Sequence, residues 1–253
     1  MRMVVLSASP AEASESAVTT ATTTPPTRVR RLRRFFLPVT YGYAALLIAV
    51  TALVAALSNS AQTKVVLHAS TNLHNLLRGH FGTLFSSAFV IGDSDAALMI
   101  IPLLICALAL AEMRFGSWHL VRIFLAGHIG ATLLVAVGLW VAVEAEWLPM
   151  DITRAEDVGI SYGAMALVGA FVVLLPSRWR PTWAITWLAV AVAGVIMGRT
   201  FTNVGHLLSV VIGLLAGYWA LRTGRRTTLP RLTWSEIGML ATASVLGYMM
   251  LVG

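Results

Sequence analysis

A chain of 253 residues that is 58% hydrophobic and 11% charged, with a mean hydropathy of +0.81, is not a soluble domain, in which about a quarter of residues are charged. It reads as a polytopic membrane protein, which sets aside soluble enzymes and nucleic-acid binding in spite of a net charge of +7. A single cysteine, Cys106, inside an apolar run leaves no disulfide framework and no thiolate metal site.

In chain order, residues 1–27 are rich in Ala, Ser, Thr and Pro and carry too little apolar surface to order themselves. Arg28, Arg30, Arg31, Arg33 and Arg34 follow, so residues 1–35 are expected to form a disordered tail with a basic cluster. Seven apolar segments come next, at 37–57, 96–111, 123–143, 159–176, 182–198, 204–221 and 235–252. Their lengths suit membrane helices of about 20 residues. The first is too long, and too far from the start, for a signal peptide, and reads as an uncleaved signal-anchor. The gap at 58–95 is amphipathic: Leu67, Leu73, Leu76, Leu77 and Phe81 alternate with Lys64, His68, Asn72, His74, Arg78 and His80. It is too broken to span, and is expected to lie in the interface as short helices.

Counting Lys and Arg by alternate gaps gives the orientation. With the N-terminus in the cytoplasm, 14 of the 18 lie inside, while Lys64, Arg78, Arg154 and Arg199 lie outside. The acidic residues Asp93, Asp95, Glu144, Glu146, Asp151, Glu156 and Asp157 fall outside. This is the positive-inside distribution, and it accounts for the basic balance as topology. The expected location is the plasma (inner) membrane with a cytoplasmic N-terminus.

Three local patterns bear chemistry-capable residues. Glu112-Met113-Arg114-Phe115-Gly116 ends the second segment, Gly159-Ile160-Ser161-Tyr162-Gly163 opens the fourth, and Gly205-His206 opens the sixth. The alternation of segments brings Ser161 and His206 to the same side of the membrane. Gly205, Ser209, Gly213 and Gly217 form a small-residue stripe on the sixth segment, and Gly159, Gly163, Ala166 and Ala170 a small face on the fourth. Such stripes let helices approach backbone to backbone. A close crossing here carries His206 to Ser161, where an imidazole base can activate a serine hydroxyl. The backbone N–H groups at the opening of the fourth helix, around Gly159, Tyr162 and Gly163, then suit an oxyanion. A serine in a membrane helix also serves as a packing or backbone-bonding residue, and that alternative stays open at this stage. The G-x-S-x-G spacing is no nucleophile elbow, which needs a preceding strand. His128 is expected below the depth of Ser161, bonded to a neighbouring helix. His68, His74 and His80 lack the spacing of a metal site, and no cofactor is expected.

Together these patterns resemble the rhomboid family of intramembrane serine proteases. The family has a six-helix core, a long first loop, a Glu-x-Arg-x-x-Gly-like motif after the second helix, Gly-x-Ser-Gly opening the fourth, and Ala-His-x-x-Gly-x-x-x-Gly on the sixth. The matching residues are Glu112 and Arg114, Gly159 and Ser161, and His206 with Ser209 and Gly213. The resemblance implies an all-α rhomboid-like six-helix transmembrane domain over 36–222, with a basic loop and seventh helix over 223–253. It also implies Ser161 and His206 as the catalytic dyad, and single-pass membrane proteins as substrates within the lipid bilayer.

The departures are specific. Gly116 comes one residue early. The His and Asn that bond the oxyanion from the second helix are missing, with Ala96 and Ile100 at the equivalent places. Tyr162 replaces the glycine after the serine, and Met165 stands where a tyrosine usually packs on the catalytic histidine. Losing one oxyanion donor costs about 2.7–4 kcal/mol in transition-state stabilisation. Two functions follow: a rhomboid-type serine endopeptidase, and a catalytically inactive rhomboid-like protein that binds transmembrane clients. A small-solute transporter fits poorly, because no central span carries a buried carboxylate.

Overall fold

The computed structural model describes residues 36–92, 94–155, 159–223 and 231–252, without the side chains of 94–96. The expected tail of 1–35, Asp157 and the Ala96 side chain therefore lie outside the described residues. Among the described residues there are helices and no strands. The long helices are α1 (Pro38–Ala55), α5 (Ser94–Phe115), α6 (Ser117–Glu144), α8 (Arg180–Gly198), α9 (Phe201–Arg222) and α10 (Trp234–Val252). Between α1 and α5 come the short α2 (Asn59–Ala69), α3 (Leu73–Leu77) and α4 (Thr83–Ser86), and between α6 and α8 lies α7 (Ile160–Ala170).

Six of these helices are long and apolar enough to cross a membrane, so this is an integral membrane protein of helical architecture. The fourth apolar segment differs. It is helical only over Ile160–Leu174, the last turn being 3-10. At 1.5 Å per residue it is too short for a bilayer core of about 30 Å. Its setting explains the shortness: every residue of α7 from Ile160 to Ala170 is buried. Enclosed by α5, α6 and α9, it meets protein on all sides, and irregular backbone at its ends is tolerated at membrane depth.

Glycines set the approach of these helices. A Cβ on Gly213 of α9 would overlap the Ala166 carbonyl oxygen, and one on Gly127 of α6 would overlap the Ala166 Cβ. A Cβ on Gly217 would press on Val172 at 2.6 Å. Ser209 is buried and donates to the Gly205 carbonyl at 2.8 Å. The stripe on α9 thus lies against α7. On α7 itself the small face differs from the sequence expectation. Gly163 is turned to the Phe124 ring of α6, and Gly169, which the sequence pattern passed over, meets the Val210 carbonyl of α9. Because α7 is wedged between two partners, its small residues divide between them.

The end carrying Glu112 is fastened by buried acids. The Glu112 carboxylate accepts from the Val39 N–H (3.1 Å), the Thr40 N–H (2.8 Å) and the hydroxyls of Thr40 (2.7 Å) and Ser117 (2.7 Å). It thereby satisfies the open N–H groups at the start of α1, a helix that begins with Pro38 in its first turn. The turn from α5 into α6 passes through Gly116 at φ 81°, a conformation that needs glycine. Arg114 grips Glu236 of α10, with Nε 2.8 Å from Oε1 and a second bond to the other carboxylate oxygen. So α10 is tied to α5, and it packs against both α5 and α8.

The segment between α1 and α5 is folded over residues 58–92. Thr71 Oγ1 lies 2.8 Å from the Thr83 carbonyl and 2.7 Å from Ser87 Oγ, Asn72 caps α3 by accepting from the Asn75 N–H, and Ser86 donates to the Ala69 carbonyl. The Tyr43 hydroxyl of α1 bonds the Ala88 carbonyl, which joins the segment to the bundle.

Candidate active site

Ser161 stands in the first turn of α7, with Gly159 as the residue before the helix. The Gly159 carbonyl accepts from the Tyr162 N–H at 2.9 Å, which closes that turn. From α9, His206 reaches across the small-residue crossing, and its Nε2 lies 2.8 Å from Ser161 Oγ. Gly205 allows the approach, because a Cβ there would overlap the Tyr162 ring. That ring meets the imidazole edge-on, with centroids 5.4 Å apart and planes at 82°. The aromatic partner of the histidine is therefore Tyr162. Met165 is turned toward α10, its Sδ 3.5 Å from where a Cβ on Gly247 would stand.

The pair is enclosed: Ser161 is 5% and His206 3% exposed. His206 Nδ1 has no hydrogen-bond partner among the described residues. Among the described residues no carboxylate orients the ring as in a triad; the Tyr162 edge and the packed helices hold it. Chemically the arrangement is a serine hydroxyl in hydrogen-bond contact with an imidazole, at a helix N-terminus, in an enclosed site. Such a pair suits acyl transfer.

His128 joins this neighbourhood, against the sequence expectation that it lies deeper. Its Nδ1 is 2.7 Å from the Gly159 carbonyl, and its Nε2 is 3.0 Å from the Leu84 carbonyl and 3.4 Å from Ser87 Oγ. It links the segment between α1 and α5, through α4, to the Gly159 turn ahead of Ser161. One turn on, Thr132 Oγ1 is buried without a partner among the described residues and stands 3.0 Å from the place of a Cβ on Gly159. A sequence signal for this face exists in Gly127 and Ala131, small residues four apart that flank His128. On α5, Ile100 is 8% exposed and offers no donor. Arg78 is exposed on the segment between α1 and α5. Among the described residues no three His, Cys, Asp or Glu side chains gather to hold a metal.

Comparison with known proteins is brief. No curated protein and no solved structure gives a significant match. A family described as rhomboid-like protein matches residues 32–228, a range that includes Glu112, Arg114, Ser161 and His206. On that match over most of its length, the chain belongs to the rhomboid-like protein family.

Proposed function

We propose that this protein is a rhomboid-type intramembrane serine endopeptidase that cleaves single-pass membrane proteins with a Ser161–His206 dyad. One observation carries the reading: the 2.8 Å contact between the Ser161 hydroxyl and His206 Nε2 at the start of an enclosed helix. Ser161 attacks the scissile carbonyl, while His206 takes the hydroxyl proton and returns it to the leaving amine. The Ser161 N–H, in the open first turn of α7, receives the oxyanion; the Tyr162 N–H, which sequence reasoning offered for that role, is taken by the Gly159 carbonyl. Gly159 and Gly163 permit this geometry through their contacts with Thr132, Tyr162 and Phe124.

The test is labelling of the purified protein with a serine-reactive fluorophosphonate. The native chain is expected to label and Ser161→Ala to remain unlabelled at equal expression. Native protein that stays unlabelled, and cleaves none of a panel of transmembrane substrates, turns the reading to its alternative, an inactive binder of transmembrane clients. A specific observation favours that alternative: α5 presents Ile100, without a donor, where the family carries one.

The N-terminus is proposed to be cytoplasmic and the membrane the plasma (inner) membrane, on the 14-to-4 division of basic residues. A reporter fused after Arg226 is then expected to read cytoplasmic and one near Glu146 external. The same side for both overturns this topology.

A further inference from the structure

The turn between α8 and α9 carries an arginine that no described residue engages. Arg199 ends α8 at φ 51°, a left-handed conformation that glycine enters freely and other residues enter at a cost. Its N–H bonds the Val195 carbonyl at 3.1 Å, yet the residue is exposed. Among the described residues no hydrogen bond or ion pair holds the guanidinium.

Arg199 borders a groove of about 350 Å³ between α6 and the facing ends of α8 and α9. Leu134, Leu139, Val195 and Val204 line it, and among the described lining residues Arg199 is the one that carries a charge. Gly138 lines it too, and a Cβ there would meet no atom within 4 Å. Glycine weakens a helix interior relative to alanine. Gly127 and Gly213 are needed where helices nearly touch, whereas no neighbour among the described residues requires Gly138. Its bare backbone keeps the groove clear on a side of α6 where Leu134 is half exposed.

Two departures from local preference thus meet at one groove, a left-handed arginine and a helix-interior glycine, and departures of this kind mark function. Together they fit a ligand with an apolar tail and an anionic head. The walls suit a hydrocarbon chain, and a guanidinium binds a phosphate through paired N–H donors. Because α6, α8 and α9 are all long and apolar enough to span, the groove faces hydrocarbon. Arg199, in the turn where α8 ends and α9 begins, stands at the level of the headgroups. A membrane helix brings no fixed anion to that level. We infer that this groove is a phospholipid site, in which one acyl chain lies along Gly138 between α6 and α9 and the phosphate pairs with Arg199. The inference is independent of the chemistry at Ser161. Bound lipid ties the α8–α9 turn to α6, and Val204, which lines the groove, is two residues ahead of His206.

The test uses the full chain, stripped of lipid by washing in dodecyl maltoside and then titrated with phosphatidylglycerol. Native mass spectrometry reads the bound lipid, and the thermal midpoint reads its effect on the fold. Phosphatidylglycerol is expected to bind and to raise the midpoint, while diacylglycerol of the same chains and inorganic phosphate do neither. Arg199→Gln removes the charge and Gly138→Leu fills the groove, and each is expected to weaken binding at least about tenfold. Arg199→Gly also relieves the left-handed backbone. It is expected to fold at least as stably as the native chain and still lose the lipid, which covers the case in which another variant does not fold. Val137→Leu changes a neighbouring exposed side chain of α6 and is expected to bind as the native chain does. Equal binding by the native chain and the Arg199 and Gly138 variants overturns the inference, as does diacylglycerol or inorganic phosphate acting as well as the phospholipid. A Leu/Ala transmembrane peptide that raises the midpoint of the native chain but not of Gly138→Leu, where phosphatidylglycerol has no effect, overturns it in favour of a helix.

Discussion

His206→Ala is expected to reduce cleavage of a membrane substrate by at least about a thousandfold, the scale on which loss of a triad member acts. The reason is local. Among the described residues the Ser161 hydroxyl has one base within reach, His206 Nε2 at 2.8 Å, and a serine hydroxyl without a base is a poor nucleophile at neutral pH. Fluorophosphonate labelling is expected to fall with cleavage, because both start with the same attack. The other buried imidazole supplies the control. His128 faces the carbonyls of Gly159 and Leu84, so His128→Gln, which keeps polar atoms in that space, is expected to retain labelling. Activity should also fall as the pH is lowered, since a protonated imidazole cannot accept the serine proton. Labelling of His206→Ala at the native rate, in protein of native thermal midpoint, would show that Ser161 is not activated by His206.

Much of this arrangement can be read from the sequence because it depends on small residues at fixed spacing. Gly205, Ser209, Gly213 and Gly217 announce a close helix crossing, and the alternation of segments puts Ser161 and His206 at the same end. What escapes the sequence depends on rotation about a short helix. Gly163 and Gly169 are both glycines on α7, yet one meets Phe124 of α6 and the other the backbone of α9. Periodicity supplies a face but not which neighbour covers it when the helix is buried all round. Likewise the depth of His128 follows from where α6 starts. The sequence suggests 123, whereas the helix begins at Ser117 and continues to Glu144, and its register against the Gly159 loop is set by contacts 31 residues away. Tyr162 takes the aromatic place beside the imidazole, a compensation for Met165 that no local spacing encodes.

The seventh helix reads in the sequence as an appended segment, and the Arg114–Glu236 pair makes it part of the fold. Both side chains are almost wholly buried, at 4% and 2% exposure, and two parallel bonds join guanidinium and carboxylate. Removing one partner strands a charge in a low-dielectric interior, an effect of about 3–5 kcal/mol in buried pairs. Arg114→Met is therefore expected to lower stability by about that amount, and Glu236→Leu by a similar or larger one. Glu236 also accepts from the Thr233 N–H and hydroxyl at 2.7 and 2.8 Å, so its loss uncaps α10 at a further cost of about 1 kcal/mol. In the double variant neither charge is stranded, and replacing a whole buried pair by apolar groups is often near neutral. Arg114→Met with Glu236→Leu is thus expected to recover most of the loss and to remain short of native by about the cap. Denaturant unfolding in detergent, followed by tryptophan fluorescence, checks the cycle. If the two single losses simply add in the double variant, the residues act independently and α10 is not held through this pair. If the double variant recovers, α5 and α10 are coupled through one ion pair at the Glu112 end.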